Sequence, residues 1–221
     1  MKTRFFSPEN LSDEALQLAD KLPGFQNKRF PTFKPEQSAL LILDMQSYFL
    51  DPASHAFIPS MEAIVPGIKK LALLYYQNNL PVLFTQHLNT PQDAGSMATW
   101  WRELISIENP LSAIISEFDF SRRYVLRKNQ YDAFYQTNLE EILRTKGVTQ
   151  VVISGVMTHL CCETTARSAF MRGFDVYFLI DGTATYNEEH QLATLLNLSH
   201  GFAQPVLTAE ITRVLEEISE K

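Results

Sequence analysis

Apolar runs of strand length, alternating with segments of helical period, constrain this chain more than any other feature. Residues 39–43 (Ala-Leu-Leu-Ile-Leu) form a short continuous apolar run, the pattern of a strand buried on both faces. Further strands are expected at 81–86, 124–126, 150–154, 176–180 and 205–207. Helical period fills the intervals, at 61–76, 98–105, 139–145, 162–172, 188–199 and 211–218. Three of these helices run toward Gly147, Gly173 and Gly201, residues suited to ending a helix. Strands alternating with helices imply an α/β fold with a parallel sheet covered on both faces.

The 221 residues fit one such domain, expected at 37–221. Residues 1–36 read as an N-terminal arm punctuated by Pro8, Pro23, Pro31 and Pro35. Within it Leu11, Ala15, Leu18 and Leu22 share one helical face, so a short amphipathic helix should pack on the domain or on a partner subunit. A net charge of −6 argues against nucleic acid or anionic membrane as the main partner. No run approaches the length of a membrane span, and the first residues lack the apolar stretch of a signal peptide. Cys161 and Cys162 are the only cysteines, and adjacent cysteines rarely form a structural bridge. A reducing cytoplasm and a small-molecule partner are expected.

In parallel sheets of this kind, sites lie beyond the carboxyl ends of the strands. The polar residues there are Asp44 and Gln46, His87 and Asn89, Lys128, Thr158 and Cys161, and Asp181. Cys161 falls where a strand passes into a helix, and unpaired N–H groups at a helix N-terminus favour thiolate over thiol. A carboxylate at the mouth of a buried strand, as at Asp44, is partly desolvated, which raises its pKa toward that of a useful base. Strand alternation turns Arg127 and Lys128 to opposite faces, and a buried lysine would stabilise nearby carboxylate and thiolate charge. Cys161 and Cys162 point about 100° apart on a helix, so only one can face a pocket. His159 lies too close in sequence to Cys161 for a good dyad geometry.

Three ordered motifs carry a resemblance: Leu43-Asp44-Met45-Gln46, Lys128-x-x-Tyr131-Asp132-Ala133-Phe134, and Ser154-Gly-Val-Met-Thr-His-Leu-Cys-Cys-Glu-Thr-Thr-Ala-Arg-Ser-Ala169. Over about residues 38–208 the chain resembles the isochorismatase-like cysteine hydrolases, which include isochorismatases, nicotinamidases and N-carbamoylsarcosine amidohydrolases. The resemblance implies a three-layer α/β/α sandwich of Rossmann-like topology with a mostly parallel sheet. It implies an Asp–Lys–Cys triad at Asp44, Lys128 and Cys161. Cys161 takes the nucleophile position as the seventh residue counted from Gly155, and Cys162 falls one place late. It also implies a cis peptide at Val156–Met157 and an oxyanion hole from the N–H groups of Met157 and Cys161. Homo-oligomers are usual in the family, so a homo-oligomer is expected.

Two chemistries share this scaffold. Amidohydrolases attack a carbonyl carbon with the thiol; isochorismatases cleave a vinyl ether and need none, carrying glycine where this chain has Cys161. Retention of the thiol points to hydrolysis of an amide, ureide or carbamoyl C–N bond. The arm, the Asp-Met-Gln-x-Tyr-Phe pattern and the segment 164–171 lean toward isochorismatases, so vinyl ether cleavage with release of pyruvate is the alternative reading. A non-catalytic pseudoenzyme is the second. Nicotinamidases bind a divalent metal through an Asp-x-His after the second strand; here those positions are His87 and Asn89, which leaves too few ligands. No metal and no cofactor are expected, nicotinamide is disfavoured, and Asp51 and His55 could serve a metal only in an unrelated arrangement. His87 is expected to face the pocket. Trp100, Trp101 and Arg102 would bind a planar or acidic substrate by stacking and a bidentate guanidinium, or the tryptophans would anchor a subunit interface. Gln46, Phe49 and Tyr131 complete the expected substrate-binding set.

Overall fold

The structure is a computed structural model describing residues 1–23, 32–121 and 123–219. Part of the expected arm, residues 24–31 with Pro31, lies outside the described residues. Among the described residues six strands form one sheet: β1 (Ser38–Leu43), β2 (Val82–His87), β3 (Tyr124–Lys128), β4 (Gln150–Val156), β5 (Asp175–Ala184) and β6 (Gln204–Val206). Their order is β3-β2-β1-β4-β5-β6 and every pairing is parallel. All residues of β1 and β4 are buried, as a strand covered on both faces requires.

Seven α-helices accompany the sheet in the described residues: α1 (Leu11–Asp20), α2 (Met61–Gln77), α3 (Met97–Trp100), α4 (Leu139–Thr145), α5 (Glu163–Met171), α6 (Glu188–Gly201) and α7 (Thr208–Ser219). From β1 the chain moves one way to β2 and β3; from β4 it moves the other way to β5 and β6. Because such crossovers are right-handed, opposite directions of travel put their helices on opposite faces. Accordingly α2 packs with α7, and α5 with α6. The arm belongs to the same core: Phe5, Phe6, Ala15, Leu18, Ala19 and Leu22 are buried in it, and α1 packs on β5.

Travel reverses between β1 and β4, and a crevice opens at the carboxyl end of that pair. The two backbones touch closely there. Gly155 pairs with Leu43 at φ +105°, and a Cβ on it would stand 2.1 Å from the Leu43 carbonyl oxygen. Asp44 follows at once with φ 51°, a left-handed conformation uncommon for a non-glycine residue. On the neighbouring pair, His87 lies in register with Lys128.

Two expected elements differ. The single helix expected at 98–105 is only the short α3, because Trp101 turns into extended backbone (φ −98°, ψ 149°) and carries Glu103–Ile105 back over the crevice. Asp181, expected near the site, instead belongs to an irregular stretch of β5: Ile153 pairs with Phe178 but Gly155 with Thr183. The extra residues turn Asp181 toward the start of α7, where its Oδ1 accepts from the Thr208 N–H and hydroxyl at 2.7 and 2.8 Å.

Candidate active site

Lys128 is the last residue of β3, and burial alternates along that strand so that Arg127 is exposed while Lys128 is buried. Its ammonium lies 2.7 Å from Asp44 Oδ2, and neither side chain is exposed. It also donates to the Gln130 carbonyl at 2.9 Å and to Cys161 Sγ at 3.3 Å, with His87 Nδ1 a further 3.3 Å contact. Asp44 Oδ1 accepts from the Thr85 hydroxyl at 2.6 Å, and the Asp44 N–H donates back to that hydroxyl at 3.0 Å. Oδ2 has no aligned hydrogen-bond donor among the described residues, so charge alone ties it to Lys128. The thiol of Cys161 faces the same carboxylate, and ligand atoms of Asp44, His87 and Cys161 all fall within 4.8 Å of one another.

The charges of this cluster follow from burial and mutual contact. Burial opposes ionisation of Asp44, but the charge of the Lys128 ammonium beside it outweighs that cost. The carboxyl is held below its ordinary value. Burial likewise opposes the Lys128 charge, and Asp44 with Cys161 holds it above the ordinary value. Burial and then the Asp44 charge push the Cys161 thiol up to about 12. The resting arrangement is therefore carboxylate, ammonium and thiol. Both titration expectations need correction. Asp44 is depressed because a fixed cation touches it. Cys161 is no thiolate because it sits inside a π-type turn (Thr158–Cys162) ahead of α5, buried against an existing anion. Passing the thiol proton to Asp44 would exchange one buried anion for another at constant net charge, with Lys128 in contact with both.

The turn also separates the two cysteines. Cys161 borders the crevice, whereas Cys162 is fully buried with its sulfur 4.0 Å from the Ser154 carbonyl. The Val156–Met157 peptide before the turn is cis. Met157 and Cys161 both line the cavity, and the Cys162 N–H is spent on the Met157 carbonyl at 3.2 Å. Thr158 is buried, donating to Gln191 Oε1 at 2.6 Å. His159 turns to Thr185, with its ring tilted against that of His190, so it forms no dyad with Cys161.

An isochorismatase domain model matches residues 38–210. The chain belongs to the isochorismatase family. It is 39% identical to Nicotinamidase 3 of Arabidopsis thaliana, covering 85% of this chain and 92% of that one. It is 30% identical to enterobactin synthase component B of Escherichia coli K12, covering 84% of this chain but just 66% of that protein's length. A cysteine hydrolase structure from Pseudomonas syringae pv. phaseolicola 1448A superposes with a TM-score of 0.80 at 25% identity, covering 86% of this chain and 96% of that one. This protein is an isochorismatase-family hydrolase.

In this family member the expected substrate-binding residues divide. Phe49, His87, Trp101 and Tyr131 line a cavity of about 60 Å3 that reaches Cys161. Trp101 Nε1 donates to the Tyr131 hydroxyl at 2.7 Å, fixing that wall. Gln46 does not line it: the amide is fully buried and bonds the His87 backbone at both ends and the Ser112 carbonyl. Arg102 is exposed outside the cavity, and Trp100 is 78% exposed, because the chain leaves α3 with Trp101 alone turned inward. His87 bonds Asn89 Oδ1 through Nε2 at 2.8 Å, and burial with the Lys128 charge lowers its pKa to about 4. The neutral ring thus carries its proton on Nε2 and turns Nδ1 to Lys128. The metal-binding positions of relatives do not fit a metal here: His87 and Asn89 bond each other, and the Lys128 ammonium already touches Asp44, His87 and Cys161. Sequence reasoning missed Tyr48, Glu103 and Tyr186, which also border the cavity. Tyr48 and Tyr186 follow strands in irregular backbone, and Glu103 reaches the site only because the helix expected at 98–105 stops at Trp100.

Proposed function

We propose that this hydrolase cleaves the C–N bond of a small amide, ureide or carbamoyl compound through a thioester on Cys161. The observation that carries the reading is the buried contact of Lys128 with both Asp44 and Cys161 at the cavity floor. In this reading Asp44 Oδ2, the oxygen without an aligned donor, takes the thiol proton as sulfur attacks the carbonyl carbon. Oδ1 stays tied to Thr85 and fixes the carboxylate plane. The N–H groups of Met157 and Cys161 receive the oxyanion. As the C–N bond breaks, Asp44 returns its proton to the leaving nitrogen and amine or ammonia departs. Asp44 then takes a proton from water, whose oxygen attacks the thioester carbon. The acid leaves and the proton returns to sulfur.

A cavity of about 60 Å3 suits a small acyl group, since a single water needs roughly 10–15 Å3 by a comparable measure. The name of the Arabidopsis relative supports C–N hydrolysis, and the description of the matched isochorismatase domain belongs with the vinyl ether alternative. A panel of small amides and ureides, read by ammonia release, tests the proposal with Cys161→Ala beside the wild type. The expected result is turnover abolished in the variant and a mass adduct on Cys161 in trapped wild-type enzyme. Undiminished turnover in Cys161→Ala, with pyruvate released from isochorismate, would replace covalent catalysis by ether cleavage.

A further inference from the structure

One wall of the cavity contains a network that the chemistry at Cys161 does not use. Tyr48, His55 and Glu103 all line the cavity and meet at one point. The Tyr48 hydroxyl donates to Glu103 Oε1, and His55 Nδ1 lies 2.8 Å from the Tyr48 oxygen and 3.2 Å from Glu103 Oε1. Tyr48 has one proton and gives it to Glu103, so His55 must donate through Nδ1 to make either contact. Hydrogen bonds, first from Tyr48 and then from His55, lower the Glu103 pKa, so its carboxylate stays charged. The result is a wall that carries the Glu103 carboxylate on a cavity otherwise mainly aromatic and aliphatic.

Among the described residues no arginine or lysine lines the cavity to offset it. Lys128 is buried beneath the floor and matched by Asp44. At the rim, Lys2 is turned to the His55 carbonyl and the face of Tyr186. Arg102 is exposed beside Glu103 and outside the lining. A ligand carboxylate entering this cavity would approach the Glu103 charge without gaining a cation.

We infer that Glu103, held by Tyr48 and His55, makes the cavity select neutral or cationic acyl substrates and reject anionic ones. As a statement about turnover this rests on the proposed C–N hydrolysis; as a statement about binding it does not. Pentanamide, 4-aminobutanamide and succinamate test it, being of similar length with a methyl, an ammonium and a carboxylate at the far end. Succinamate should show a kcat/KM about tenfold or more below pentanamide, and 4-aminobutanamide should equal or exceed pentanamide. Glu103→Gln should bring the succinamate-to-pentanamide ratio toward one, whatever happens to the absolute rates. High salt should narrow the same ratio in the wild type, a readout that does not depend on the variant folding. Titration calorimetry of the three amides with Cys161→Ala should give the same order of affinity. Failure of every amide to release ammonia would count against the proposed reaction alone, because the calorimetry still reads charge selection. Succinamate bound as tightly as pentanamide, or a ratio insensitive to Glu103→Gln, would overturn the inference.

Discussion

Lys128 Nζ lies 2.7 Å from Asp44 Oδ2 with both side chains fully buried. Each charge is tolerable there only because of the other: burial alone would neutralise both groups. Lys128→Met therefore strands a carboxylate, and Asp44→Asn leaves the ammonium with only the Cys161 sulfur to answer its charge. Each single variant should lose about 3–5 kcal/mol of stability, whereas the double variant should lose clearly less than the sum. Urea unfolding of the four proteins closes this cycle. Additive losses would mean that the two charges are stabilised independently.

Asp44→Asn should also uncouple reactivity from turnover. In the wild type, burial and the Asp44 charge hold Cys161 as a thiol, while Lys128 pulls toward thiolate. Removing the carboxylate leaves the ammonium facing sulfur 3.3 Å away, so thiolate becomes the ammonium's partner. Alkylation of Cys161 by iodoacetamide at pH 7, followed by mass spectrometry, should be several-fold faster in Asp44→Asn, although hydrolysis falls by at least about 100-fold for want of a base. Slower alkylation in the variant would show that Asp44 promotes the thiolate even without substrate.

The sheet was legible in sequence because parallel strands buried on both faces leave unbroken apolar runs, such as Ala39–Leu43 inside β1. Strand alternation separated Arg127 from Lys128 and the position after β4 brought Cys161 or Cys162 forward; the family motifs chose Lys128 and Cys161. Gly155 marked the close approach of two strands only once Leu43 was seen beside it. What the sequence concealed lies in irregular backbone. Nothing periodic signals that Trp101 leaves the helical conformation, that the β5 irregularity removes Asp181 from the site, or that Tyr48 meets Glu103 across 55 positions. The charge states depart from the sequence reading for a different reason: the Lys128 ammonium outweighs burial at Asp44, whereas burial and the Asp44 charge outweigh that ammonium at Cys161.

His87 supplies a pH dependence of stability. Its folded pKa is lowered, to about 4, by burial first and by the Lys128 charge next. A depressed folded pKa means that the folded state resists protonation. The neutral ring's contribution is fully present above the unfolded value near 6.5 and is lost as pH falls through about 4. The urea midpoint should therefore decline between pH 6.5 and 4, and His87→Gln should flatten that decline even if it is less stable at pH 7. Parallel declines in the two proteins would place the acid sensitivity elsewhere.

The two adjacent cysteines should respond oppositely to the same substitution. Cys162 is fully buried behind β4, with its thiol raised well above the ordinary value by burial. Cys162→Ala removes one sulfur from a packed core, which should cost about 1 kcal/mol and leave kcat/KM within about threefold of the wild type. Cys161 borders the cavity, and its conversion to alanine removes the attacking atom, so turnover should vanish while the melting temperature moves by only a few degrees. Thermal melts and ammonia release on the two variants decide the matter. Loss of activity in Cys162→Ala with Cys161 unmodified and the fold intact would reverse the assignment of the nucleophile.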